Sequence, residues 1–193
     1  MRRATAILCA STAAAAAGVL LGACGGGERR DADAPSGTYT VAVERSSFPP
    51  KQRLAMAASL VLSVRNTGEE AIPNLVVTVR GFRDPSGGSH DANLGRDLWI
   101  VDDAPGSAMT AFADRWTAGR LEPGRTATLR WKVTPVVAGT HTLRYAIAPA
   151  LASDARAQLA GGGEPTGALR VRVSDEPARA RVDPGTGAVR RDE

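Results

Sequence analysis

The residues with the richest chemical potential lie between Asp84 and Asp114. Asp84, His90, Asp91, Asn93, Asp97, Asp102, Asp103 and Asp114 stand there among glycines and two prolines. Hard cations take several oxygen ligands at once, and an irregular loop carrying carboxylates and an amide can converge them. The local pattern does not complete that chemistry. In Asp91-Ala92-Asn93-Leu94-Gly95-Arg96 the fifth position is glycine, and arginine stands where a calcium loop needs its turn glycine. Asp84, His90, Asp91, Asp97, Asp102 and Asp103 are therefore metal candidates of second rank. The same loops are also the first guess for a recognition surface, because irregular loops on a rigid frame carry binding.

Other chemistry is sparse. The serines form no Gly-x-Ser-x-Gly elbow, and the only histidines are His90 and His141. A soft-metal site needs clustered soft ligands, which two separated histidines and three methionines do not supply. No paired acid and base or activated nucleophile is legible, so the expectation is a chain that is not an enzyme and carries no cofactor.

One residue does have a chemistry written around it. Met1-Arg2-Arg3 opens the chain, the 18 residues Ala4–Leu21 carry no charge, and small residues then precede Cys24. That is the three-part layout of a secretory signal. The closing Leu21-Gly22-Ala23-Cys24 resembles the lipobox of bacterial lipoproteins. The resemblance implies cleavage before Cys24, a diacylglyceryl group on its thiol, and a place on the outer face of the cell membrane. The residues after Arg3 match the twin-arginine pattern poorly, which favours the Sec route. Alanine and glycine dilute the apolar run, and Gly25-Gly26-Gly27 follows it, so a tether fits better than a membrane span.

The anchor changes what composition means. Cys9 leaves with the signal and Cys24 is consumed, so the remaining domain has neither disulfide nor free thiol. It must stand on its hydrophobic core, and roughly 140 residues suffice for that. The formal net charge of +4 falls to +2 once Arg2 and Arg3 are removed. Lys51 and Lys132 are the only lysines. A nearly balanced exported chain with eight aromatic residues is a poor nucleic-acid binder.

The elements that position these groups read as strands. The polar stretch 24–37 has nothing to bury and reads as the lipidated cysteine and a flexible linker of about 20 Å reach. Residues 38–175 form the domain, and 176–193 a mobile polar tail. Within the domain, apolar residues alternate with polar ones in Tyr39-Val41-Val43, Leu60-Leu62-Val64, Leu75-Val77-Val79, Ala127-Leu129-Trp131-Val133, His141-Leu143-Tyr145-Ile147 and Leu169-Val171-Val173. Shorter strands are expected around Leu98–Val101 and Thr110–Trp116, and a loop or one helical turn over Lys51–Ala58. The sum is an all-β, two-sheet antiparallel sandwich of seven or eight strands.

Leu62-Ser63-Val64-Arg65-Asn66-Thr67-Gly68 with Ile72-Pro73-Asn74-Leu75-Val76-Val77-Thr78-Val79 resembles the immunoglobulin-like domains of bacterial surface proteins. Leu121-Glu122-Pro123-Gly124 with Leu129-Arg130-Trp131-Lys132-Val133 is similar to their later strand pair. The resemblance covers about a third of the domain and implies the immunoglobulin-like fold; it implies no particular ligand.

Side-chain direction completes the reading. Trp131 alternates with Leu129 and Val133 and belongs in the core; Trp99 and Trp116 read as satellite core before sugar platforms. His141 reads as a partly buried, hydrogen-bonded histidine. Arg130, Lys132, Arg144, Arg170 and Arg172 face outward and make a basic stripe if their strands are neighbours. Such a stripe suits anionic lipid headgroups or wall polymers, but the favoured reading is a solvated sheet face whose charges guard the edge strands. The expected object is a monomeric, lipid-anchored envelope module for binding or scaffolding, with an envelope protein or polymer as partner. The alternative is an accessory carrier of a cation or small ligand on the Asp84–Asp114 loops.

Overall fold

Alternating burial organises the chain into two sheets, seen in a computed structural model that describes residues 36–86, 95–105, 114–151, 154–176 and 180–191. The segment ending at Cys24 and the candidates His90 and Asp91 lie outside the described residues. The strands in chain order are β1 (Thr38–Ser47), β2 (Lys51–Arg53), β3 (Ala58–Asn66), β4 (Ile72–Arg80), β5 (Arg83–Asp84), β6 (Arg96–Asp97) and β7 (Trp99–Asp103). They continue with β8 (Arg115–Leu121), β9 (Thr126–Pro135), β10 (Gly139–Ala148), β11 (Arg156–Leu159), β12 (Thr166–Ser174), β13 (Ala180–Val182) and β14 (Val189–Arg191). None of the described residues is helical, so no helix among them is long and apolar enough to cross a membrane.

One five-stranded sheet runs β11-β1-β3-β9-β7 and the other β2-β12-β10-β4-β8. The central pairs are antiparallel, while β11 joins β1 and β2 joins β12 in parallel. The all-β sandwich is thus present with ten strands rather than seven or eight. The surplus comes from β2 and β11, which are three and four residues long and too short for alternation to show. The loop or helical turn expected over Lys51–Ala58 is instead β2 and a tight turn, where Ala55 takes a positive φ of 59°. Of the expected Thr110–Trp116 strand, residues 110–113 lie outside the described residues; β8 takes in Arg115 and Trp116 and continues to Leu121.

The neighbours β1-β3-β9 and β12-β10-β4 take the A-B-E and G-F-C places of an immunoglobulin-like sandwich. The edge places differ in visiting order. The chain fills the place beside β9 with β7 before it fills the place beside β4 with β8.

Most inward positions that alternation singles out lie in the core, joined there by Phe48, Ile72, Phe82, Trp99, Trp116 and Leu121, while Val43, Ala127, His141, Tyr145 and Leu169 are partly buried. Val41, Leu60, Leu62, Val64, Leu75, Val77, Val79, Leu129, Trp131, Val133, Leu143, Val171 and Val173 are all buried. Two short ribbons lie outside the sandwich sheets: β5 with β6, and β13 with β14 in the tail region. The β13–β14 turn is held by the Asp183 carboxylate, which accepts from the Gly185 and Thr186 amides at 2.9 and 3.2 Å.

Asn66 shows how the Asn-Thr-Gly turn works. Its side chain is fully buried, and Nδ2 donates to the carbonyls of Glu70 and Leu121 at 2.8 and 2.9 Å. Its Oδ1 accepts from the Gly68 amide at 3.0 Å. One amide therefore ties the end of β3 to the end of β8 across the two sheets. Asn66→Ala strands the buried Leu121 carbonyl and leaves the Glu70 carbonyl and Gly68 amide without this partner, and is expected to cost about 2 kcal/mol in denaturant unfolding. Asn66→Asp, which keeps the acceptor and loses the donors, should not recover that loss.

Candidate interaction surface

The described aspartates of the loop region do not converge. On the β5–β6 ribbon each faces an arginine, Asp97 opposite Arg83 and Asp84 opposite Arg96. Arg83 Nε donates to Asp97 Oδ1 at 2.8 Å, and Asp84 Oδ1 accepts from the Ser86 amide and hydroxyl at 2.9 and 2.6 Å. Asp102 Oδ2 accepts from Thr134 Oγ1 at 2.7 Å, and Asp103 stands opposite Lys132. Among the described residues no three His, Cys, Asp or Glu side chains gather as a metal site. The carboxylates hold strands and turns together.

The aromatic candidates belong to the interior. Trp99, Trp116 and Trp131 are all buried, so none of them is a sugar platform. Trp99 Nε1 donates to Gln52 Oε1 at 2.8 Å, and Gln52 Nε2 donates to the Pro49 carbonyl at 3.1 Å. His141 is half-buried beside Trp99, with ring centroids 5.3 Å apart, and its Nε2 lies 3.1 Å from the Val137 carbonyl oxygen.

The outward residues carry the more informative pattern. The stripe expected from Arg130, Lys132, Arg144, Arg170 and Arg172 divides between two faces, because β9 belongs to the first sheet and β10 and β12 to the second. On the second sheet the stripe gains residues. Arg144 pairs with Arg80, Thr142 with Arg170, and Arg172 with both Thr140 and Lys51. Arg80, Arg144, Arg170, Arg172 and Lys51 therefore run contiguously across four strands, and all five are exposed.

The five strands of this sheet contain Lys51, Arg53, Arg80, Arg115, Arg120, Arg144, Arg170 and Arg172, and no aspartate or glutamate. The first sheet is mixed by contrast, with Glu44, Asp102 and Asp103 among its bases. Of the second sheet's cations, Arg120 is bridged to Glu122 at 2.7 Å. Between the cations, Thr78, Ala146, Thr166 and Ala168 are small, and with Arg80 and Arg144 they line an open depression of about 520 Å³.

Sequence reading did not find Arg80 or Lys51 as members of this face. Arg80 closed an expected strand, so its outward direction was legible, but its position beside Arg144 depends on β4 pairing with β10. That pairing spans more than 60 residues of chain and leaves no local signal.

No family model matches the chain, and no curated protein matches it. Among solved structures, the CARDB domain of a Pyrococcus furiosus protein is 16% identical and covers 72% of this chain and 94% of its own, with a TM-score of 0.41. Native alpha-2-macroglobulin from Escherichia coli is 17% identical over 78% of this chain and 21% of its own, with a TM-score of 0.45. A cohesin module from a Clostridium perfringens family 33 glycoside hydrolase is 8% identical over 72% of this chain and 98% of its own, with a TM-score of 0.42. These likenesses transfer no ligand or activity.

Like charges placed directly opposite across a strand pair destabilise it. Arg80→Thr, which removes the repulsion with Arg144, is expected to raise unfolding stability by about 0.5 kcal/mol. Denaturant melts of the full chain check this, and the gain should shrink in high salt. Arg130→Thr on the first sheet, where the register partner is Val61, should leave stability nearly unchanged.

Proposed function

We propose that this chain is a lipid-anchored protein of the bacterial cell envelope, held at the extracytoplasmic face through Cys24 and acting as a non-enzymatic binding or scaffold module. The observation that carries the reading is the placement of Cys24. It closes an Arg-led, uncharged stretch, precedes a polar spacer, and is followed by an immunoglobulin-like sandwich whose sequence contains no further cysteine. A thiol acylated with two chains anchors stably, where a single chain is marginal. The sandwich then presents two outer sheet faces to its surroundings, with chemistry-bearing side chains such as Asp97, Asp102 and His141 engaged in holding the fold.

The alternative of a carrier of a cation or small ligand draws no support from Asp84, Asp97, Asp102 and Asp103, each of which faces a base or accepts from a hydroxyl or amide.

Two outcomes follow. Cys24→Ala should move the protein from the membrane fraction to the soluble fraction; a chain that stays membrane-bound and uncleaved would show that the first segment is a span. Millimolar calcium should leave the thermal midpoint in place, whereas a cation carrier would be stabilised by several kcal/mol at saturating ion.

A further inference from the structure

We propose that the outer face of the β2-β12-β10-β4-β8 sheet lies against the anionic phospholipid headgroups of the membrane that holds the chain. The proposal rests on the anchored reading above and names the surface that the anchored module touches.

Charge is the first ground. Lys51, Arg80, Arg144, Arg170 and Arg172 are exposed, form a contiguous run, and have no acidic residue on any strand of their sheet. A solvated face with no partner ordinarily mixes both signs. This face instead places Arg80 opposite Arg144 and Lys51 opposite Arg172, an arrangement that costs stability unless anions neutralise it.

Shape is the second ground. Five strands at the usual spacing make a surface about 20 Å across. The cations are spread over that surface, and the depression beside Arg80 and Arg144 is open and floored by Thr78, Ala146 and Ala168. A spread of guanidinium groups over small side chains suits many headgroups in one plane. A single polymer strand is better held in a groove. Arginine also pairs with phosphate oxygens in a bidentate fork.

The place of chain entry is the third ground. Thr38, the first residue of β1, lines a second open depression together with Ala146, Ala148 and Thr166, where Arg156 and Glu164 supply one charge of each sign. Ala146 and Thr166 belong to both depressions, so the tether joins the domain at the rim of the basic face. The 13 residues between Cys24 and Thr38 span at most about 45 Å. Acyl chains at Cys24 would therefore hold the domain close enough for this face to reach the bilayer.

The test uses the mature chain from residue 24 carrying Cys24→Ser, so that no acyl chain contributes. It is titrated with vesicles of phosphatidylcholine alone and with vesicles containing about 30% phosphatidylglycerol, enough for a surface potential that attracts basic residues. Binding should be about tenfold tighter to the anionic vesicles and should fall away in about 0.5 M salt. The pair Arg144→Glu with Arg170→Glu should remove that preference. The pair Arg130→Glu with Lys132→Glu, on the other sheet, should change it by less than about twofold. Circular dichroism checks that each variant is folded; Arg144→Ser with Arg170→Ser, or Arg130→Ser with Lys132→Ser, replaces the corresponding glutamate pair where it is not.

Equal binding to both vesicle types would overturn the proposal, as would equal losses from both variant pairs. Binding to a soluble glycerol-phosphate polymer without binding to vesicles would overturn it too. These results leave the anchoring unaffected, because membrane release by Cys24→Ala is read on the acylated wild-type chain.

Discussion

The two sheets meet without a covalent link, so everything depends on how their inner faces interlock. The contact that decides this is aromatic. Trp116 of β8 stands edge-on to Trp131 of β9, with ring centroids 5.3 Å apart and planes at 87°, and the two belong to opposite sheets. Phe82 continues the array from Trp116 to Trp99, and Phe48 and His141 close around Trp99. Such rings bury more area per side chain than any aliphatic residue and favour this geometry. They occupy the interior that a disulfide and tryptophan fill in antibody domains.

Polar detail at the ends of the array keeps the packing in register. The Gln52 side chain joins the Trp99 indole to the Pro49 carbonyl, which explains why a three-residue strand with a buried glutamine persists at a sheet edge. At the opposite end Asn66 ties β3 to β8. The indole nitrogens of Trp116 and Trp131 are buried and find no hydrogen-bond acceptor among the described residues. Desolvating an indole nitrogen costs energy, so burying both rings leaves part of their packing gain offset.

Legibility followed the range of the interaction. Alternation is local, and it correctly placed Leu129, Trp131, Val133, Leu143 and Val171 inside, and Arg170 and Arg172 outside. Strand existence and direction were therefore readable. Pairing is not local. The second sheet joins residues 51, 80, 144 and 172, and only the folded chain shows that their charges share one face. The aspartates show the same limit from the other side. Composition offers the acidic loop only as a second-rank cation site, and only the pairing shows Arg83 and Arg96 standing opposite Asp97 and Asp84 so that the ribbon neutralises itself. The short strands β2 and β11 were invisible because their order comes from the neighbours they join.

The place of β1 gives the domain a mechanical character. Its first half, Thr38 to Val41, is bonded in parallel to β11, and Val41 to Ser47 is bonded antiparallel to β3. A load drawn through the N terminus runs along the strand axis. The two ladders overlap only at Val41, so the load meets the β11 rungs first and the β3 rungs after them. A module pulled from its first residue is in this way held by two ladders in series, one to each neighbour of the same strand.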